Sequence, residues 1–207
     1  GPDVDILIEV HRRLAPMHAI RVAHAIEPLR PFWYEEPTPA ENLDATLLVR
    51  NKINIPVVVG EALYTKAEFR TALEKGVADI INPDICNVGG LLELKEITAM
   101  AEAYGVALAP HGNNSTTVGL AASLQIAAVS PNFLIMEYPM SWESTGNRIS
   151  PNPLRAVNGY IDLPTTPGIG IELDEDALSA YPYREPTRRP LMSTSPVLLS
   201  ARNTPSP

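Results

Sequence analysis

The chain has 207 residues, of which 45% are hydrophobic, so it can bury a substantial core in one domain with or without tails. Its net charge of −8 offers no basic face for nucleic acid, and its single cysteine, Cys86, excludes an internal disulfide. Without a long apolar run or a leader-like N-terminus, we expect a cytoplasmic protein with no membrane contact.

Short apolar runs rich in Val and Ile alternate with longer stretches of helical periodicity, as in the βα units of a parallel sheet. The predicted strands cover residues 5–10, 32–35, 56–60, 80–82, 107–110 and 133–136. The predicted helices cover residues 15–29, 42–51, 65–75, 91–104 and 117–129. Both a doubly wound sheet and a (β/α)₈ barrel fit this alternation.

An ionisable side chain stands at or just beyond the end of each predicted strand. These residues are Glu9, Glu35, Glu61, Asp84, His111 and Glu137. By subtraction they are 26, 26, 23, 27 and 26 residues apart, about one βα unit each. Because the carboxyl ends of barrel strands converge on one active site, the pattern favours an α/β fold of the TIM-barrel type.

Only six βα units are visible, and the first strand begins almost at residue 1. The sequence therefore predicts an incomplete barrel over residues 1–150, without the first two strands. After Ser150, many Pro and Gly residues indicate an extended closing arm over residues 151–183, which we expect to return over the domain. Residues 184–207 are rich in Pro, Ser, Thr and Arg, without periodicity, and are predicted to be a disordered tail.

Three carboxylates, those of Glu9, Glu35 and Glu61, come first and lie on neighbouring predicted strands. Oxygen ligands in this number suit a hard divalent cation such as Mg²⁺, which keeps further sites for water and substrate. The alternative is that each glutamate is a solvated loop charge, but three at nearly equal spacing favour a metal site.

Asp84 and His111 follow on the next two strands, where a carboxylate can orient an imidazole and raise its basicity for general-base catalysis. Glu137 is either a surface acid or a hydrogen-bonding partner of a substrate oxygen. His11 lies two residues beyond Glu9, so on a strand both would face the same side and place a second imidazole near the metal. A base and an acid flanking a bound substrate suit the elimination of water.

Motifs at the strand ends carry a family resemblance over about residues 3–183. They are IEVHRRL at 8–14, WYEEPT at 33–38, VGE at 59–61, NPD at 82–84 with VGG at 88–90, and APHG at 109–112. Together, in this order and spacing, they resemble the mandelate racemase and muconate lactonizing enzyme branch of the enolase superfamily. The resemblance implies a TIM barrel preceded by an N-terminal capping domain, which has no counterpart in this chain.

The resemblance also implies a function for the strand-end residues. It makes Glu9, Glu35 and Glu61 the ligands of Mg²⁺, although the first position usually carries Asp in the family. It makes the Asp84–His111 pair the base that removes a proton α to a carboxylate. The acidic residue that supports the developing negative charge corresponds to Glu137.

Within the branch, the His11 position resembles galactonate dehydratases first and mannonate dehydratases second. The expected reaction is the Mg²⁺-dependent dehydration of a sugar acid to a 2-keto-3-deoxy acid, with His11 as the general acid. A racemase or epimerase of the same superfamily is one alternative, and an inactive truncated remnant is another. We expect a small-molecule sugar-acid substrate and, for the full-length protein, a homo-oligomer.

Overall fold

Five parallel strands form the centre of the computed structural model, which describes residues 3–112, 116–140, 143–146 and 148–185. They are β1 (Leu7–Glu9), β2 (Trp33–Glu35), β3 (Val57–Val59), β4 (Ile80–Ile81) and β5 (Ala107–Leu108). Each strand pairs in parallel with the next one along the chain, in the order β1-β2-β3-β4-β5. A doubly wound sheet reverses its strand order, so this singly wound order identifies part of a (β/α) barrel.

Helices lie between the strands and after β5. They are α1 (Pro16–Ile26, continued by a 3₁₀ turn at Glu27–Leu29), α2 (Leu43–Arg50), α3 (Lys66–Lys75), α4 (Ile85–Val88), α5 (Leu91–Ala103), α6 (Thr117–Ala127), α7 (Glu143–Gly146) and α8 (Glu175–Ser179). Five of these helices, α1, α2, α3, α5 and α6, lie where the hydrophobic periodicity predicts them, and three short ones, α4, α7 and α8, were not predicted. Local signals fix several ends. Thr65 and Glu68 form a capping box at the start of α3, and Gly76 ends that helix with a φ of 65°.

The two faces of the sheet are buried by different partners. Side chains alternate along each strand, so Val57 and Val59 of β3 face the helices and pack with Phe69 and Ile97 in the main core. Val58 points to the opposite, inner face, where it clusters with three residues of the neighbouring strands, Trp33, Ile80 and Ala109. The central strand β3 is buried at every position, which explains its continuous apolar sequence.

The predicted sixth strand at residues 133–136 is reduced to one parallel bridge, between Leu108 and Phe133. Two hydrogen bonds begin a ladder: Leu108 N donates to Asn132 O (2.9 Å), and Leu134 N donates to Leu108 O (2.8 Å). The next donor in this register would be the amide of Pro110, and proline has no N–H. The segment therefore lies beside β5 without forming a regular strand.

Both edges of the sheet are partly exposed. Ile6 and Leu7 at β1 are 46% and 39% exposed, and Phe133 is 39% exposed on the opposite side. Within the described residues, β1 does not pair with the segment around Phe133, so the sheet is open there. The open sheet agrees with the incomplete barrel that the sequence predicts.

The segment that follows Ser150 contacts the last helices of the barrel part. Gln125 of α6 donates from Nε2 to Ile169 O (3.3 Å), and Tyr138 donates from its hydroxyl to Leu154 O (3.4 Å). The domain division at residue 150 and the closing arm stay predictions, and most of the predicted tail (186–207) lies outside the described residues. In the described parts of the chain, no helix has the length and apolar character needed to cross a membrane.

Gly60, directly after β3, has a φ of 150°, and a Cβ placed on it would lie 2.9 Å from the backbone nitrogen of Asn82. Gly60→Ala should lower the free energy of unfolding by about 1–3 kcal/mol more than Gly105→Ala, because the added methyl group is overpacked. Gly105 is the matched control, since its φ is also positive (70°) but its Cβ would meet no atom within 4 Å. Chemical denaturation followed by tryptophan fluorescence gives both values, and equal destabilisation would contradict the steric explanation.

Candidate active site

Three carboxylates meet at the carboxyl ends of β1, β2 and β3. Glu9 and Glu35 are the last residues of their strands and are direct partners in the sheet register. Glu61 follows β3 by two residues. One oxygen from each of the three side chains lies within 4.8 Å of those of the other two, so these residues could hold a metal ion.

Burial and neighbouring charges shift the pKa values of all three carboxylates. Burial, followed by the neighbouring charge of Glu9, raises the pKa of Glu35 to about 9. Burial also raises the pKa of Glu9, with a further contribution from the charge of Glu61. For Glu61 burial acts in the same direction, but hydrogen bonds from His111 and Arg12 outweigh it and lower the pKa to about 2. A divalent cation would stabilise the ionised form of all three carboxylates, and hard oxygen donors fit Mg²⁺.

Asn82, just beyond β4, joins two members of the trio. Its Nδ2 donates to Glu35 Oε1 (2.6 Å), and its Oδ1 accepts from the backbone N–H of Glu61 (3.2 Å). The side chain is almost completely buried. Asn82 was not predicted as a site residue because it does not ionise, although it stands at a strand end like the others.

Asp84 and His111 lie side by side on the next two strand ends, where they form an isolated parallel bridge. His111 Nδ1 is 2.7 Å from Asp84 Oδ2, and His111 Nε2 is 2.9 Å from Glu61 Oε2. The second oxygen of Asp84 accepts from the backbone N–H of Cys86 (2.8 Å) and so caps α4. Burial lowers the pKa of His111, but the carboxylates of Asp84 and Glu61 outweigh burial and raise it to about 10.

Glu137 reaches the same place from the segment beside β5. Its Oε2 accepts from the backbone N–H of Gly112 (2.7 Å) and lies 3.8 Å from His111 Nε2. About half of its side chain is exposed, at 46%. The structure therefore brings Glu137 to the edge of the His111 site without burying it.

His11 lies in the same cavity, but for a different reason from the one predicted. The expectation that His11 continues a strand and shares a face with Glu9 is wrong, because β1 ends at Glu9 and the backbone then turns. His11 and Arg12 have positive φ values of 55° and 62°. His11 Nε2 lies 3.0 Å from Arg12 Nη2. A guanidinium can only donate, so Nε2 of His11 is the acceptor in this contact.

Arg12 and Glu36 complete the polar network and were not predicted. Arg12 Nη1 contacts Glu61 Oε1 and lies 3.4 Å from Glu36 Oε2. Glu36 is only 2% exposed, and burial raises its pKa to about 7 although Gly60 and Arg12 act against the rise. Its φ of 42°, like those of His11 and Arg12, is a conformation that costs on the order of 1–2 kcal/mol for a residue with a side chain.

A cavity of about 410 Å³ collects these groups over the inner face of the sheet. Leu7, Trp33, Ala62 and Ala109 give it an apolar floor and wall, while Tyr64, Asn82 and Asn87 add neutral polar groups. The charged or titratable groups that line it are Glu9, His11, Arg12, Glu35, Glu61, His111 and Glu137. The cavity can therefore bind a cation and a polar ligand beside a histidine–aspartate pair.

Asp84→Asn should lower the pKa of His111 from about 10 toward its ordinary value of 6.5, because an amide does not stabilise the imidazolium as a carboxylate does. The pKa of His111 is raised in the folded state. Protonated His111 therefore contributes fully to the stability of the fold below about pH 6.5, and this contribution is lost as the pH rises through 10. NMR titration of the histidine ring protons in the metal-free protein measures the shift. Asp174→Asn is the control, since Asp174 also caps a helix. An unchanged His111 midpoint in Asp84→Asn would contradict this assignment.

Comparison with known proteins identifies the family to which a chain with this geometry belongs. Residues 1–177 match the family model described as "Enolase C-terminal domain-like". A D-galactonate dehydratase family member from Streptomyces bingchenggensis is 33% identical over 92% of this chain and 46% of its own length. A D-mannonate dehydratase from Sphingomonas sp. is also 33% identical, over 89% of this chain and 46% of its own length. The chain thus spans about half the length of the curated relatives it matches.

A solved structure shows the same fold. A crystal structure of a mandelate racemase/muconate lactonizing enzyme from Burkholderia SAR-1 superposes with a TM-score of 0.88 and 37% identity. The match covers 94% of this chain and 50% of that one. The chain therefore belongs to the enolase superfamily, in its mandelate racemase/muconate lactonizing enzyme branch, and corresponds to the C-terminal, barrel-forming part of that fold.

Proposed function

We propose that this protein catalyses the Mg²⁺-dependent dehydration of a sugar acid to a 2-keto-3-deoxy acid. The observation that carries the proposal is the meeting of three carboxylates within 4.8 Å beside a histidine–aspartate pair in one cavity. Relatives named D-galactonate and D-mannonate dehydratases support the sugar-acid substrate class. Cavity walls rich in hydrogen-bonding groups suit a polyhydroxylated acid.

Glu9, Glu35 and Glu61 would hold the cation. Bound there, Mg²⁺ would stabilise negative charge on the substrate carboxylate as the adjacent carbon loses its proton. Asn82 fixes the orientation of Glu35 through its amide and holds the backbone of Glu61. Glu9 is one methylene longer than the aspartate usual in the family, and its position beside Glu35 in the register still brings its carboxylate into the trio.

His111 would remove the α-proton. Its Nδ1 faces Asp84, which leaves Nε2 directed toward Glu61 and the cavity. Coordination of Glu61 would withdraw one of the carboxylates that raise the pKa of His111 and bring the ring nearer to the range in which it can accept a proton. Glu137, 3.8 Å from Nε2, would stand close to the substrate oxygen on which charge develops.

His11 would protonate the hydroxyl that leaves from the neighbouring carbon, after which the enol product tautomerises to the keto acid. Its ring is half exposed in the cavity, with Nε2 next to the Arg12 guanidinium. The proton of neutral His11 therefore lies on Nδ1 in this arrangement, and delivery from Nε2 requires protonation of the ring or release of that contact. A racemase would instead use His11 as a second base and retain the hydroxyl.

His111→Asn in the full-length gene product should reduce α-proton exchange of a substrate aldonate in D₂O by at least about 10²-fold, because the base is lost. The exchange is followed by proton NMR on a panel of aldonates, with formation of the keto acid measured in parallel. Glu68→Gln, in the surface capping box of α3, is the control and should retain exchange. Undiminished exchange in His111→Asn would refute the role of the base, and exchange without keto acid formation would indicate a racemase or epimerase.

Binding of Mg²⁺ at pH 7.5 should release at least one proton. The Glu35 carboxyl has a pKa of about 9, so it is protonated at pH 7.5 in the metal-free protein. Coordination of a metal requires its ionised form. The number of protons released should fall as the pH rises from 7 toward 9, since the carboxyl then ionises without metal. Calorimetry in buffers of different ionisation enthalpy counts the protons, and a binding enthalpy that is independent of the buffer would contradict the prediction.

A further inference from the structure

We propose that Arg12 is a positioning residue that presents Glu61 to the metal by tying together the ends of the three strands that carry the ligands. The inference rests on the proposed metal site and concerns a residue that neither coordinates the cation nor takes part in proton transfer. Among the cavity-lining residues in the described part of the chain, Arg12 is the only lysine or arginine. Its side chain is 24% exposed, so it is largely withdrawn from solvent.

The contacts of Arg12 reach all three strand ends. Its backbone N–H, just beyond β1, donates to the carbonyl oxygen of Glu36, just beyond β2 (2.8 Å). Its Nη1 contacts the carboxylates of Glu36 and of Glu61, which follows β3. Glu36 Oε1 in turn accepts from the backbone N–H of Gly60 (2.9 Å). These contacts form a closed loop from Arg12 to Glu36, from Glu36 to Gly60, and through the chain from Gly60 to Glu61, which contacts Arg12 again. We call Arg12, Glu36 and Gly60 the strand-end clamp.

The clamp holds the carboxylate of Glu61 and leaves lone pairs on its oxygens available to a cation. Arg12 contacts Oε1 of Glu61, and His111 Nε2 lies 2.9 Å from Oε2. His11 Nε2 is farther away, 3.7 Å from Oε1, so each oxygen has one hydrogen-bonding partner. A carboxylate oxygen has two lone pairs, and each oxygen therefore keeps one for a cation. With both oxygens held, rotation of the Glu61 side chain is restricted before any cation binds.

Glu36 anchors the clamp from the side opposite the cavity. It is 2% exposed and does not line the cavity, so its carboxyl group contacts Arg12 and Gly60 rather than a ligand in the site. The left-handed backbone at Arg12 (φ 62°) and Glu36 (φ 42°) turns both residues into this arrangement. Such conformations persist where the surroundings determine them strongly, which is the case when each residue binds the other twice.

The charge of Arg12 and its role in positioning Glu61 predict opposite changes in metal affinity when Arg12 is removed. If the guanidinium acted only through its charge, its removal would strengthen binding of a divalent cation, because a nearby positive charge repels the cation. If it orients Glu61, removal weakens binding, and loss of such outer partners typically costs about 10- to 100-fold in metal affinity. The sign of the change therefore separates the two explanations.

The experiment measures the affinity for Mn²⁺, which reports on the carboxylate site by electron paramagnetic resonance. In the full-length gene product we expect the dissociation constant to rise about 10-fold in Arg12→Gln, and less in Arg12→Lys, which keeps the charge without the planar fork. Glu36→Gln should also weaken binding, since it releases Arg12 while leaving an acceptor for Gly60. Arg13→Gln, at an exposed neighbouring position, is the matched control and should bind like the wild type.

Each result decides a separate question. If the wild type binds no Mn²⁺, the proposed metal site fails, and the clamp fails with it. If the wild type binds and Arg12→Gln binds equally or more tightly, the metal site stands and the positioning role is overturned. Thermal unfolding without metal identifies any variant that does not fold. Should Arg12→Gln be such a variant, Glu36→Gln carries the test, and unchanged affinity in it overturns the clamp.

Discussion

Mutual repulsion among carboxylates at one rim of a parallel sheet is the constraint on which this site depends. Parallel strands that run side by side end together, so acids placed at those ends become neighbours however far apart they are in sequence. Glu9 and Glu35 are register partners, and Glu61 joins them within 4.8 Å. Burial and, after it, the charge of Glu9 raise the pKa of Glu35. A divalent cation bound at the proposed site would remove the repulsion that the strand order creates.

The fold could be predicted as far as hydrophobic pattern and strand-end chemistry specify it. The valine run of β3 and the spacing of about one βα unit predicted the parallel sheet, and its singly wound order confirmed the barrel type. The extent of each strand could not be predicted, because a strand of two or three residues is defined by its neighbour's hydrogen bonds as much as by its own sequence. The segment at Phe133 shows this, since Pro110, just beyond the adjacent strand β5, interrupts the ladder.

The structure brings together the ionisable strand-end residues that were predicted from sequence, and three further residues of the polar network were missed for two reasons. Asn82 is neutral, so a search for titratable groups passes over it, although it contacts the carboxylate of Glu35 and the backbone N–H of Glu61. Arg12 and Glu36 each stand next to a predicted site residue, and alternation along a strand would direct them to the opposite face. The backbone leaves the strand conformation at both positions, with positive φ, and returns their side chains to the network.

The two oxygens of Asp84 serve different parts of the molecule. One closes the first turn of α4, and the other holds the ring of His111. The side chain of Asp84 therefore influences both the path of the chain between β4 and α5 and the proton affinity of a buried imidazole. A displacement of that turn, by a mutation or by a neighbouring polypeptide, would move the carboxylate and so alter the basicity of the ring that it contacts.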